Sequence, residues 1–342
     1  MSQIIAIASG KGGVGKTLVT ASLAVTLARR GRTVLAADAD MGLRNLDLLF
    51  GVQDEVLYDA VDIMKRRCSA AEAVIPLSPY LDFLAASQKH TWEKVDAPGF
   101  QYTLDTLSRT YDYILIDCPP GRGNAYKDAV AIADMVFFVV EPTWSSLRDT
   151  GRVMQFCNKH KQFNYAVVFN NFYASRPGYV SPDEAMAALN AEHVAGLLPH
   201  DDFVHAAGQD GEIMHVSGEN PFFQSLSLMC DALLEERPFA WDEAITLLPS
   251  AGTVAVEAGE PVPKAAEAAL TLPAAAIEEL RQAAASLSPN MTGPSPVEED
   301  KTEPELEVAD VQAGSQAVLS LAPRLSVRQR RDQSRAWRSY RR

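Results

Sequence analysis

The chain has 342 residues, of which 47% are hydrophobic and 22% charged, and its formal net charge is −13. That length suits one large α/β domain with an appendage, or two domains, around a globular core. No run of eighteen apolar residues suggests a membrane span, Met1-Ser2-Gln3 shows no basic start of a signal peptide, and the acidic body argues against broad nucleic-acid binding by the core.

In chain order, Ile4 to Ala8 is a short apolar run that predicts a buried strand, and Leu18 to Arg30 carries helix-period apolar residues. Between them, Gly10-Lys11-Gly12-Gly13-Val14-Gly15-Lys16-Thr17 satisfies the phosphate-loop pattern G-x-x-x-x-G-K-[ST]. Glycines let backbone N–H groups, including that of Leu18, converge on one anion where a Cβ would block the approach. The start of the helix adds its partial positive charge. Lys16 is expected to reach the β/γ-phosphates and the Thr17 hydroxyl to ligate Mg²⁺, which makes this a nucleoside triphosphate site.

Gly31 stops the helix, and Thr33 to Asp38 reads as a second buried strand. Strand–helix–strand over so short a stretch is a βαβ unit, so a parallel sheet with right-handed crossovers is expected. Asp38 and Asp40 then fall at the C-terminal mouth of that strand, where carboxylates could align water or sense the γ-phosphate. Asp38 could equally serve as a cap or a structural hydrogen-bond acceptor. Helical spacing is expected from Leu57 to Arg67, continuing through Val74, and again from Phe100 to Thr110.

Asp112 to Asp117 is an apolar strand ending in aspartate, and Asp117 would hold Mg²⁺ through a water, as the phosphate-loop template requires. Cys118-Pro119-Pro120-Gly121 suits a γ-phosphate-sensing loop. Further strands are expected at Met135–Val140, Tyr165–Asn170 and Val194–Pro199, and a helix from Gln224 to Leu234. The fold class is α/β: a doubly wound, mostly parallel sheet of about seven or eight strands with nucleotide at the strand C-termini.

Lys11, immediately after the first glycine of the loop, adds a second lysine. With it, Lys11 to Thr17 resembles the deviant Walker A loop of the MinD/ParA family of P-loop ATPases. Met41 to Gly51, Val56 to Asp59, Leu81 to Gln88 and Glu141 to Asp149 are similar to segments of the same family, in the same order. The resemblance covers about residues 2 to 240. It implies that Lys11 crosses a dimer interface to the partner's nucleotide and that Asp40 places the attacking water. It further implies that Asn170 reads adenine and that Pro199 flanks the base. Three residue types depart from the family: Leu18 replaces a threonine, Trp144 is unusual, and Asn171 replaces an arginine.

The resemblance also implies an ATP-dependent, Mg²⁺-requiring ATPase that forms homodimers with ATP and regulates placement of the division septum through ATP-switched membrane association. Its expected partners are a septum-inhibitor protein and an ATPase-activating topology factor. The alternative within the family is a DNA-partitioning or flagellar-number regulator, though DNA is the less favoured partner. The expected location is the cytoplasm, peripheral on the inner membrane, and the four cysteines (Cys68, Cys118, Cys157, Cys230) lack paired metal-ligand spacing.

Three regions are expected. The resemblance implies an ATPase domain over residues 1–248, and by composition 249–323, rich in Ala, Pro and Glu, read as a largely disordered linker. Residues 324–342 form an arginine-rich tail with Trp337 and Tyr340 interleaved, suited to an anionic membrane surface. The short basic amphipathic helix usual in the family is not evident.

Overall fold

The computed structural model describes residues 2–119, 130–160, 164–189 and 193–250. The expected linker and tail, and the remainder of the γ-phosphate-sensing loop after Pro119, lie outside them.

Eight strands form one sheet in the order β3-β4-β2-β5-β1-β6-β7-β8. They are β1 (Gln3–Ala8), β2 (Val34–Asp38), β3 (Val74–Ser78), β4 (Leu81–Leu84), β5 (Tyr113–Asp117), β6 (Met135–Val140), β7 (Asn164–Phe172) and β8 (Val194–Pro199). All neighbouring pairs are parallel except β3 against β4. Every residue of β2, β5, β6 and β8 is buried, as a parallel sheet covered by helices on both faces requires.

β1 lies inside the sheet, and its Ile4, Ile5 and Ile7 are fully buried. Each such side chain contributes roughly 1.5–3 kcal/mol on leaving water, so the loop that follows hangs from a firmly held strand. Helix α1 (Lys16–Arg29) is buried along almost its whole length and packs against β1, β2, β5 and the helix Pro221–Glu235. A helix apolar on every side belongs to the interior, which explains its weak amphipathic pattern.

Two expectations need correction. The segment expected to stay helical through Val74 contains only α4 (Ala70–Ala73), and Val74 opens β3 instead. Val74 and Ile75 pair with Leu84 and Phe83, and that tertiary pairing overrides the weak local pattern. The helix expected over Leu57–Arg67 shortens to α3 (Ala60–Met64). Asp59 caps its start by accepting from the Val61 and Asp62 N–H groups, and Arg66 adopts φ +56° just past its end. The helix expected from Phe100 is α5 (Ala97–Leu107), and α2 (Leu46–Phe50) was not anticipated. Among the described residues no helix is long and apolar enough to cross a membrane.

Candidate nucleotide site

The loop Gly10–Thr17 joins β1 to α1 with Gly13 at φ +81° and Gly15 at φ +86°, a region that L side chains avoid. Two of its glycines are also required by space. A Cβ on Gly15 would lie 2.4 Å from Asn170 Nδ2, and one on Gly10 would lie 2.7 Å from the Asp149 backbone. The loop is therefore clasped from outside by the end of β7 and by the helix Trp144–His160. Ser9 Oγ donates to the Lys11 carbonyl at 2.6 Å, while Lys11, Gly12 and Gly13 stay exposed.

Lys16 opens α1 and is only 7% exposed, so its ammonium is held at the site rather than in solvent. Its charge acts on both Asp40 and Asp117. The Thr17 hydroxyl hydrogen-bonds Asp117, as does Thr20 Oγ1 at 3.4 Å. Strand register does the rest: Asp117 of β5 stands opposite Ile7 of β1 on one side and Asp38 of β2 on the other.

The structure gives the two aspartates different surroundings. Asp38 is fully buried and accepts from the Asp40 N–H at 2.8 Å and the Leu46 N–H at 3.1 Å. Its oxygens organise the turn. Asp40 is half-buried beside Lys16, and burial raises its pKa while the Lys16 charge opposes the rise. Burial likewise pushes Asp38 and Asp117 upward, Asp38 additionally through the Asp117 charge.

The donor set fits Mg²⁺. A hydroxyl and a carboxylate are hard oxygen ligands, and a dication would relieve carboxylates whose ionised form burial disfavours. The end of β7 beside the loop carries an acceptor without a partner. Asn170 is fully buried, its Nδ2 donates to the Val14 carbonyl at 2.9 Å, and its Oδ1 has no hydrogen-bond partner. Pro199 closes β8 in the neighbouring strand and is buried.

The departures also have places. Leu18 is buried and points at Gly208, where a Cβ would meet its Cδ1 at 3.4 Å, so an apolar contact replaces the hydroxyl. Asn171 takes φ +62°, and its Oδ1 lies 2.8 Å from His205 Nε2 while its Nδ2 donates to Glu141 at 3.4 Å. Trp144 stands 62% exposed at the start of its helix. Sequence reasoning missed Thr20, though its spacing of three from Thr17 places it on the same helix face. For Asp38, the structural hydrogen-bond role weighed from the sequence is the one it takes.

Together the fold and the loop define a P-loop nucleoside triphosphatase of the two-lysine kind. The AAA-domain family matches residues 2–168. The septum site-determining protein MinD of Helicobacter pylori is 35% identical over 224 residues, 62% of this chain and 83% of that protein. Among solved structures, the MinC:MinD cell division complex of Aquifex aeolicus aligns with TM-score 0.62 at 31% identity, covering 68% of this chain and 96% of that one. The MinD of Pyrococcus horikoshii, complexed with Mg-ADP, aligns with TM-score 0.60 at 29% identity, covering 68% and 98%. The chain belongs to the MinD/ParA family of ATPases, among relatives named as septum site-determining MinD proteins.

Proposed function

We propose that this MinD-like cell-division ATPase works as an ATP-switched dimer whose hydrolysis ends its residence at the membrane. The supporting observation is the convergence of Lys16, Thr17, Asp40 and Asp117 at one edge of the sheet, with Lys11 exposed on the same loop. In this reading the backbone of Gly10 to Leu18 cradles the phosphates and Lys16 neutralises charge on the β/γ oxygens. Thr17 and Asp117 hold Mg²⁺, which when bound supplies further charge neutralisation. Asp40 accepts a hydrogen bond from the attacking water and orients it. Asn170 and Pro199 receive the base, and Lys11 reaches the nucleotide of the partner protomer.

Residues 1–248 act as the ATPase unit, 249–323 as a tether and 324–342 as an anionic-lipid contact. A basic residue near such a surface contributes about 1 kcal/mol. Two tails on one dimer then act together, gaining on the order of 10²-fold in avidity over one. A septum inhibitor of the kind present in the Aquifex complex, and an activator that speeds hydrolysis, complete the cycle. Anionic vesicles should pellet the full chain with ATP and release it with ADP, and a chain ending at Pro323 should stay in the supernatant with both. Equal pelleting of the shortened chain, or preference for DNA at matched salt, would overturn the membrane step.

A further inference from the structure

The segment between β4 and α5 has no assigned role, yet it is fastened to the turn that presents Asp40. The Trp92 indole Nε1–H donates to the Ala39 carbonyl at 2.6 Å. The Gly42 N–H donates to the Ser87 carbonyl at 2.7 Å, and the Ser87 N–H lies 3.3 Å from the Met41 sulfur. Trp92 is 8% exposed, and its ring meets Phe100 edge-on at 5.5 Å.

The decisive group is the peptide plane between Ala39 and Asp40. Its N–H donates to Asp38 Oδ1 at 2.8 Å, and its C=O accepts from Trp92. Held at both ends, that plane cannot swivel, and its orientation sets the direction in which the Asp40 side chain leaves the backbone. One peptide earlier, the Ala39 N–H donates to the Asp117 carbonyl at 3.0 Å, which ties the turn to the strand carrying the metal-binding aspartate.

We infer that Trp92 is a positioning residue for Asp40: by fixing the Ala39–Asp40 peptide plane, its indole N–H sets where the carboxylate points. The inference rests on the reading that Asp40 orients the attacking water. Losing the indole bond leaves the Ala39 carbonyl partnered, because the Met41 N–H also donates to it at 3.0 Å. Folding therefore tolerates the loss. What is lost is one of the two donors on that carbonyl, and with it part of the angular restraint to which in-line attack is sensitive. A ~1 Å misplacement can cost on the order of 10²-fold in rate.

The test uses Trp92→Phe, which keeps a ring against Phe100 but removes the donor. A second variant carries benzothienylalanine at position 92, in which sulfur replaces the N–H in a ring of nearly the same size. In both, kcat at saturating ATP should fall about tenfold, with KM within about twofold, as expected for a misaimed group that does not bind substrate. In the nucleotide-free protein, the amides of Asp40, Met41 and Gly42 should exchange hydrogen faster while those of Ile4 to Ala8 do not change. Trp92→Phe combined with Asp40→Ala should be no slower than Asp40→Ala alone. Unchanged kcat or unchanged exchange in the folded variants overturns the inference, and the benzothienyl chain decides if Trp92→Phe does not fold. Parental hydrolysis by Asp40→Ala would instead sink the water-orienting reading, and the exchange result would still judge the tether.

Discussion

The side-chain amide of Asn170 donates to the backbone carbonyl of Val14 at 2.9 Å, joining the end of β7 to the middle of the phosphate loop. Both residues are fully buried, so the bond is shielded from competing water. Asn170→Ala should cost about 1–3 kcal/mol, because it withdraws a donor from a buried carbonyl. Thermal unfolding should show the loss, and nucleotide affinity should fall with it. Gly15→Ala should abolish nucleotide binding outright, through its φ of +86° and the 2.4 Å clash with Asn170. Combining the two should restore part of that binding, since the clash goes and the backbone strain stays. No recovery in the double variant would mean that the strain alone decides.

The two lysines of the loop should separate by experiment. Lys16→Ala should lose ATP binding or hydrolysis, because Lys16 is buried at the head of α1. Lys11→Ala should bind ATP as a monomer and fail to dimerise, because Lys11 is exposed. Light scattering behind a sizing column, with ATP present, distinguishes them. Normal dimers from Lys11→Ala would end its cross-interface role.

Asp40→Ala should slow hydrolysis by at least ~10²-fold while leaving ATP-driven dimers intact and long-lived, as for removal of a positioned proton-handling group. Single-turnover hydrolysis and nucleotide titration measure the two effects separately. A collapse of ATP affinity would assign Asp40 to the metal instead.

His205 offers a pH prediction. Burial lowers its pKa, and neighbouring His200 lowers it further, against the opposing charges of Asp202, Asp201 and Glu141. The unfolded chain therefore takes up this proton before the native one as pH falls through the ordinary histidine value of about 6.5. Stability should thus be fully present above that pH and decline below it. His205→Gln keeps a donor for Asn171 and removes the titration, so its melting temperature should fall less between pH 7.5 and 5.5. An equal fall in both proteins would exclude His205 as the source.

Most of the sheet was legible because its strands are continuous apolar runs ending in chemistry: Ile4 to Ala8 before the glycine loop, Asp112 to Asp117 before a proline pair. The loop itself was legible because phosphate binding constrains glycine, lysine and hydroxyl at fixed spacing. What stayed hidden depends on partners far away in the chain. β3 exists because Val74 and Ile75 meet β4, and its own burial is incomplete. Asp40 was singled out by the resemblance, but the N–H groups that occupy Asp38, those of Asp40 and Leu46, appear only once the turn is built. Trp92 lies 53 residues from the carbonyl that it holds, and no local pattern announces such a bond.

The antiparallel strand at one margin of the sheet has a consequence for assembly. β3 contains Pro76, which has no N–H to offer, and its register slips between Pro76 and Ser78. A neighbouring chain that tried to add a ninth strand there would find a broken row of donors and a kinked rail. This border resists extension into a shared sheet, so a copy that met the protein along β3 would be held by side chains and loops rather than by backbone zippering.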